Sequence, residues 1–264
     1  MYEIIDSHAH IYPMKIAQKA SDVIGKFYDI KMENNGSVER LLEVGRKAGI
    51  SRYLVHSVAT VPHQVVSINR FILNECNEHP EFIGFMTLHP LLTEEELETE
   101  IEFCLNNGFH GVKLHPDFQH FAINSPEAEK IYKVINSRLP ILFHTGDKRY
   151  NYSHPEYLSE MAKKYPKTQF IGAHFGGYNS WDEAEDSYIG LDNVWFDTSS
   201  SLDFITTERA FKLIKKFGAE KFFFGTDYPM WLPEDEIKRF LKIPLTERER
   251  ELIFAENLKS FLSL

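Results

Sequence analysis

The chain has 264 residues, of which 43% are hydrophobic and 26% are charged, and its formal net charge is −10. These values describe a globular protein with a sizeable core, and the acidic balance argues against non-specific nucleic-acid binding. Two cysteines, Cys76 and Cys104, both lie in helix-like stretches and argue against a disulfide scaffold. Because no signal-like segment and no apolar run near 20 residues is found, we expect a cytoplasmic protein without membrane association.

Eight short runs rich in β-branched and aromatic residues alternate with helical patterns along the chain. The predicted strands are residues 2–8, 52–58, 82–88, 110–115, 140–145, 169–174, 193–198 and 221–227. The predicted helices are residues 38–48, 63–78, 94–107, 125–136, 155–165, 206–217 and about 246–262. This alternation predicts parallel strands with crossover helices. Eight such units without a composition shift predict that residues 1–264 form a single (β/α)8 TIM barrel.

A long insertion, residues 11–37, separates the first strand from the first regular helix. It exceeds the usual length of such a loop, and residues 15–24 within it are predicted to be helical. Because it leaves the barrel at the end that carries the histidines, we expect a lid or pocket wall with Tyr12 and Phe27 as substrate contacts. A merely decorative insertion is the alternative. A second candidate wall is the loop 176–181, and its Trp181 is also predicted to contact the substrate.

Histidine or aspartate stands at the end of five of the predicted strands. His8 and His10 end the first strand at i and i+2, which places both on one face. The others are His115, His144, His174 and Asp227. The carboxyl ends of barrel strands converge on one cavity, and imidazoles with a carboxylate suit Zn²⁺, Mn²⁺, Fe²⁺ or Co²⁺. Taken alone, the histidine pair could equally be two partly exposed side chains near the N-terminus.

Five motifs in order resemble those of the amidohydrolase superfamily over the whole chain. They are DSHAH (6–10), GVKLHP (111–116), FHTG (143–146), GAHFGG (172–177) and GTDYP (225–229). The chain is most similar to the amidohydrolase-related branch, which includes aminocarboxymuconate-semialdehyde-decarboxylase-like proteins and metal-dependent lactonases. The resemblance implies that His8, His10, His144 and Asp227 bind one metal. It also implies that His174 polarises the substrate or acts as acid or base, and that it would bind a second metal in a two-metal relative.

Lys113 and His115 share a face of the fourth predicted strand, and both are predicted to contact the substrate. A buried lysine needs a partner or a lowered pKa. In two-metal relatives, a lysine at this position is carbamylated and bridges the metals. We favour a substrate-anion or structural role for Lys113 and one metal, Zn²⁺ ahead of Mn²⁺, over the bridged pair. For His115, a structural role before Pro116 is the alternative.

Two enzyme functions and one binding function fit this pattern. The first is a metal-dependent hydrolase in which activated water attacks a lactone, ester or amide, with Asp227 moving the proton and His174 stabilising the oxyanion. The alternative is a non-oxidative decarboxylase or hydratase acting on an unsaturated or aromatic carboxylic acid, because the same ligands serve both. A non-catalytic binding barrel is the third. The expected partner is a small molecule, and a homodimer is compatible with the sequence.

Overall fold

The computed structural model describes residues 2–264, and its eight parallel strands follow one another in sequence order in a single sheet. Alternation of these strands with helices makes the fold a (β/α)8 TIM barrel, as predicted. The strands are β1 (Ile5–His10), β2 (Arg52–His56), β3 (Phe82–Thr87), β4 (Gly111–Leu114), β5 (Ile141–Phe143), β6 (Phe170–Gly172), β7 (Val194–Asp197) and β8 (Phe222–Phe223).

Twelve α-helical segments connect or follow the strands in the part of the chain that the structure describes. They are α1 (Met14–Tyr28), α2 (Val38–Ala48), α3 (Val65–Glu78), α4 (Glu94–Asn106), α5 (Pro116–Gln119), α6 (Pro126–Ile135), α7 (Pro155–Lys164), α8 (Trp181–Ser187), α9 (Thr207–Phe217), α10 (Pro233–Leu241), α11 (Glu247–Glu251) and α12 (Asn257–Leu262). A π-helical turn, Leu252–Glu256, joins the last two. No helix among residues 2–264 is both long and apolar enough to span a bilayer.

The chain divides into two compact units. The first unit comprises residues 2–56 and 198–264, and the second comprises residues 57–197. In the first unit, β1 pairs in parallel with β2, and Ser7 N–H donates to Phe224 O while Asp227 N–H donates to His8 O. The segment that follows β8 therefore runs beside β1. In the second unit, β3 to β7 form four consecutive parallel pairs.

Helix starts follow the local sequence closely. Thr93 forms a reciprocal capping box with Glu96, and the hydroxyls of Ser125 and Thr206 accept from backbone N–H groups in the first turns of α6 and α9. The strands are shorter than predicted, because several polar residues at their ends leave the sheet. Helices α5, α8 and α10 are short and lie outside the helices predicted from the sequence.

The insertion between β1 and α2 is anchored in the first unit. Its helix, α1, is longer than predicted and buries the small residues Ala17, Ser21 and Gly25. The Ser21 hydroxyl donates to Asn34 O, and the Asn34 amide donates to Trp231 O at 3.1 Å. The insertion therefore packs on the segment that follows Asp227, and its role as a pocket wall stays a prediction.

Candidate metal centre

Three predicted ligands come together in the first unit. His8 Nε2 lies 3.3 Å from His10 Nε2, and the two nitrogens lie 3.4 and 3.5 Å from Asp227 Oδ1. All three side chains are almost completely buried. β1 carries an irregularity between Asp6 and Ala9, yet the two imidazoles still meet, as the i, i+2 spacing predicted.

The geometry of these three atoms fits a divalent metal ion. Ligand atoms about 2.1 Å from a tetrahedral ion are about 3.4 Å from one another, and the three observed separations cluster at that value. Two imidazoles and one carboxylate are also a donor set that first-row transition metals accept. Burying a carboxylate beside two imidazole nitrogens costs free energy. A cation bound between the three groups would offset that cost.

A third imidazole in the first unit lies against this pair. His56, at the end of β2, is buried, and its ring is edge-on to the His8 and His10 rings at centroid distances of 4.9 and 4.4 Å. One nitrogen from each ring lies within 4.8 Å of the others. His56 was not predicted from the sequence to be a site residue, although its position at a strand end could have indicated it.

Hydrogen bonds hold the backbone and rings of the pair. The Asp6 carboxylate accepts from the His8 N–H at 3.0 Å and from the Thr226 N–H at 2.9 Å, which ties β1 to the segment after β8. His8 Nδ1 lies 3.1 Å from Ser199 Oγ. With Nδ1 engaged by the hydroxyl, Nε2 of His8 is the nitrogen presented to Asp227 and His10.

Tyr12, predicted to contact substrate, lies close to this cluster. Its N–H donates to Gly36 O at 3.0 Å, and its ring packs against Gly36, where an added Cβ would lie 2.7 Å from the ring. Burial raises the pKa of Tyr12, and the negative charge of Asp227 raises it further. The phenol is therefore neutral and near the carboxylate. Phe27 lies half-buried on α1 with its ring edge-on to Tyr28 at 4.8 Å.

A second group of predicted residues comes together in the second unit. His144 Nδ1 lies 3.0 Å from His174 Nε2. The His174 N–H donates to Asp197 Oδ1 at 3.0 Å, and its carbonyl accepts from the Trp181 indole at 3.0 Å. His174 is thus held from both sides of its peptide, and the predicted wall residue Trp181 is one of the groups that hold it.

Asp117, which the sequence analysis missed, faces His144 from the other side. Its Oδ2 lies 3.7 Å from His144 Nε2 and accepts from the Ser153 hydroxyl at 2.6 Å. Burial raises the Asp117 pKa to about 7, and the charge of Asp147 adds to the shift while the Ser153 hydrogen bond opposes it. At 3.7 Å the two atoms are at ion-pair distance and beyond hydrogen-bond distance, so an ionised Asp117 acts on the His144 ring through its charge.

The remaining predicted residues of the second unit lie on or after β4. His115 stacks on His144 at 4.1 Å with an interplanar angle of 7°, and Phe118 stacks on its other face at 3.9 Å. Lys113 is completely buried, and in register it lies between Thr87 of β3 and Leu142 of β5. Its carbamylation and the roles of these residues toward substrate stay predictions.

Left-handed backbone occurs at Asp227, at His174 and at Ser200, whose hydroxyl donates to Asp227 Oδ2. The φ values are 58° at Asp227, 61° at His174 and 45° at Ser200. Such conformations are costly for residues other than glycine and persist where the surroundings impose them, frequently at functional sites. The side chains of Asp227 and His174 are therefore aimed by strained turns and not by continuing strands.

Comparison with known proteins connects this geometry to a family. A family model described as amidohydrolase matches residues 5–262. A search of curated proteins finds no match.

Solved structures resemble the chain over its whole length. A TIM-barrel protein from Bordetella bronchiseptica superposes with a TM-score of 0.82 at 17% identity, covering 99% of this chain and 98% of that chain. A dihydroxybenzoic acid decarboxylase from a Polaromonas species, with bound manganese and 2-nitroresorcinol, gives 0.78 at 15% identity, covering 100% and 98%. A 5-carboxyvanillate decarboxylase from Sphingomonas paucimobilis gives 0.75 at 12% identity, with both chains covered completely.

Proposed function

Because the chain belongs to the amidohydrolase family, we propose that it is a metal-dependent, non-oxidative decarboxylase of a small aromatic or unsaturated carboxylic acid. The observation that carries the proposal is the convergence of His8, His10 and Asp227 with the separations that one divalent ion requires. The choice of reaction rests on similar structures, among them the two decarboxylases described above, and on the aromatic residues beside the ligands.

The proposed metal ligands are His8, His10, His144 and Asp227. The first, second and fourth meet in one unit, and His144 ends β5, whose carboxyl end in a TIM barrel opens on the catalytic face. When bound, a divalent metal would supply Lewis acidity for an anionic oxygen of the substrate. Zinc stays the prediction from the sequence, and manganese is the metal in the Polaromonas decarboxylase.

Decarboxylation requires the chain to deliver one proton to the carbon that loses its carboxylate. The proton adds to that carbon, the bond to the carboxylate breaks, its electron pair returns to the conjugated system and CO2 leaves. Asp227 is the group proposed to carry this proton, since it is the carboxylate of the cluster that would hold the metal. His174, fixed through its peptide, is proposed to polarise the substrate or exchange protons with it.

The aromatic surroundings suit a planar substrate. His115 stacks on the His144 ring, and Tyr178 lies 6.0 Å from the same ring. In the first unit, Trp231 is buried close to the chain segment of Asp227. Flat, rigid rings hold a planar acid at little entropic cost. Hydrolysis, the first expectation from the sequence, would also use these ligands, but the decarboxylases that resemble the chain favour the alternative.

The proposal is tested by metal analysis and a substrate panel. The purified protein should hold about one divalent metal per chain, and the double variant His8→Ala/His10→Ala should hold none. His63→Ala, at an exposed histidine, is the matched control. Hydroxybenzoates should release CO2 and take up one solvent deuterium at the vacated carbon. Full metal occupancy in the double variant would refute the site, and turnover of lactones or amides without CO2 release would refute the reaction.

A further inference from the structure

Asp227 has two carboxylate oxygens, and the structure gives them different environments. Oδ1 faces the nitrogens of His8 and His10. Oδ2 accepts a hydrogen bond of 2.5 Å from the hydroxyl of Ser200. A hydrogen bond therefore holds the carboxylate at Oδ2, and Oδ1 is the oxygen that faces the imidazoles.

Trp231 determines the direction of the hydrogen bond between Ser200 and Asp227. The indole Nε1–H of Trp231 donates to Ser200 Oγ at 2.9 Å. An indole N–H can only donate, so the hydroxyl is the acceptor there and its single proton is available to Asp227. The Met230 sulfur, 3.3 Å from the same hydroxyl, is a weak acceptor that a carboxylate outcompetes.

The backbone of Ser200 adopts an unfavourable conformation in this arrangement. Ser200 adopts the left-handed region at φ 45°, where a glycine would be the unstrained choice. Both Ser200 and Trp231 are buried, at 2% and 9% exposure, so water competes little for the hydrogen bonds. Strained backbone of this kind persists where the surrounding structure imposes it, and it is frequent at functional sites.

We propose that Ser200 and Trp231 are positioning residues that fix the rotation of the Asp227 carboxylate. The donor chain Trp231 to Ser200 to Asp227 occupies Oδ2 and leaves Oδ1 as the oxygen that faces His8 and His10, where the metal would be held. This inference deepens the proposed function and rests on it. Outer hydrogen-bond partners of this kind commonly change metal affinity by about 10–100-fold.

The test measures metal binding without turnover, using Co²⁺ as the probe in competition with a chelator. Ser200→Gly removes the hydroxyl at a position whose backbone favours glycine, and Trp231→Phe removes the indole donor while keeping an aromatic ring. Ser200→Gly should weaken Co²⁺ binding about 10–100-fold and alter the visible absorption of the bound ion. Trp231→Phe should weaken binding less. Ser201→Ala is the matched control, because this buried neighbour donates to Ser199 O.

A double-mutant cycle separates positioning from general destabilisation. Because the chain of bonds passes through Ser200, the variant Ser200→Gly/Trp231→Phe should bind Co²⁺ no more weakly than Ser200→Gly alone. Thermal unfolding of the metal-free variants verifies that they fold. Unchanged affinity and spectrum in folded Ser200→Gly, or additive losses in the double variant, would overturn the inference. Failure of the unaltered protein to bind Co²⁺, Mn²⁺ or Zn²⁺ would instead overturn the proposed function.

Discussion

The buried carboxyl of Glu236 on α10 should make the stability of the protein depend on pH in a predictable direction. Glu236 is 1% exposed, and its Oε1 accepts from Arg239 at 2.5 Å. Its Oε2 is buried without a hydrogen-bond partner among the described residues. Burial raises the Glu236 pKa from 4.5 to about 7, with help from the charges of Asp203 and Asp227 and against the attraction of Arg239.

The sign of the effect follows from linkage. Because the pKa is higher in the folded state, the folded protein holds this proton more tightly than the unfolded chain. The stabilisation is complete below about pH 4.5 and is lost as the pH rises through about 7. One pKa unit corresponds to about 1.4 kcal/mol, so the shift of Glu236 corresponds to a loss of roughly 3 kcal/mol by pH 8.

Glu236→Gln should remove this dependence, because an amide of the same shape does not ionise. The free energy of unfolding of the variant should equal that of the unaltered protein at pH 4.5 and exceed it by up to roughly 3 kcal/mol at pH 8. Guanidinium unfolding of both metal-free proteins across this range gives the difference, in which all other titrating groups cancel.

A matched control lies on the same helix. Glu234 is exposed, and its hydrogen bond and ion pair with Lys238 lower its pKa. Glu234→Gln should therefore produce a much smaller change, opposite in sign. A difference between Glu236→Gln and the unaltered protein that does not vary with pH, or a variant that is less stable at pH 8, would refute the reasoning.

Three further predictions concern the two clusters. His174→Asn should retain metal but lose about 10²–10⁴ in rate, and unchanged turnover would remove the catalytic role. Asp117→Asn should weaken metal binding about tenfold by removing a carboxylate charge beside the His144 ring, measured by chelator competition; unaltered affinity would reduce Asp117 to a packing role. Tyr12→Phe should keep metal and raise KM about 3–10-fold by removing a hydrogen bond from the phenol to the substrate, and a normal KM would place the phenol away from substrate.

The insertion at residues 11–37 illustrates how far position in the sequence could predict function. Its length and its departure from the end of β1 predict a pocket wall. The structure shows Asn34 of the insertion donating to Trp231 O, and the role of the segment toward substrate stays a prediction. The helix within it extends over Met14–Tyr28, beyond the predicted residues 15–24. Helix ends depend on capping contacts that periodicity does not report, so the boundary was the less predictable feature.

The sequence by itself determined the architecture and placed the candidate ligands at strand ends. Alternating β-branched and amphipathic runs predict parallel strands with crossover helices, because each pattern buries apolar surface in only one geometry. The spacing of His8 and His10 predicts that their side chains meet, since the period of a strand is two. These inferences depend on local periodicity, which a single sequence carries in full.

Only the tertiary structure decided which groups support the ligands. Ser200 and Trp231 are 31 residues apart, Asp117 and Ser153 are 36 apart, and each pair meets through turns between elements. Nothing in the local sequence marks Ser200 or Asp227 as left-handed, because such conformations in residues other than glycine are imposed by their surroundings. Where the chain leaves a helix or strand, the direction of a side chain depends on its contacts in the whole fold. The hydrogen bonds that orient this site could therefore be known only from the folded molecule.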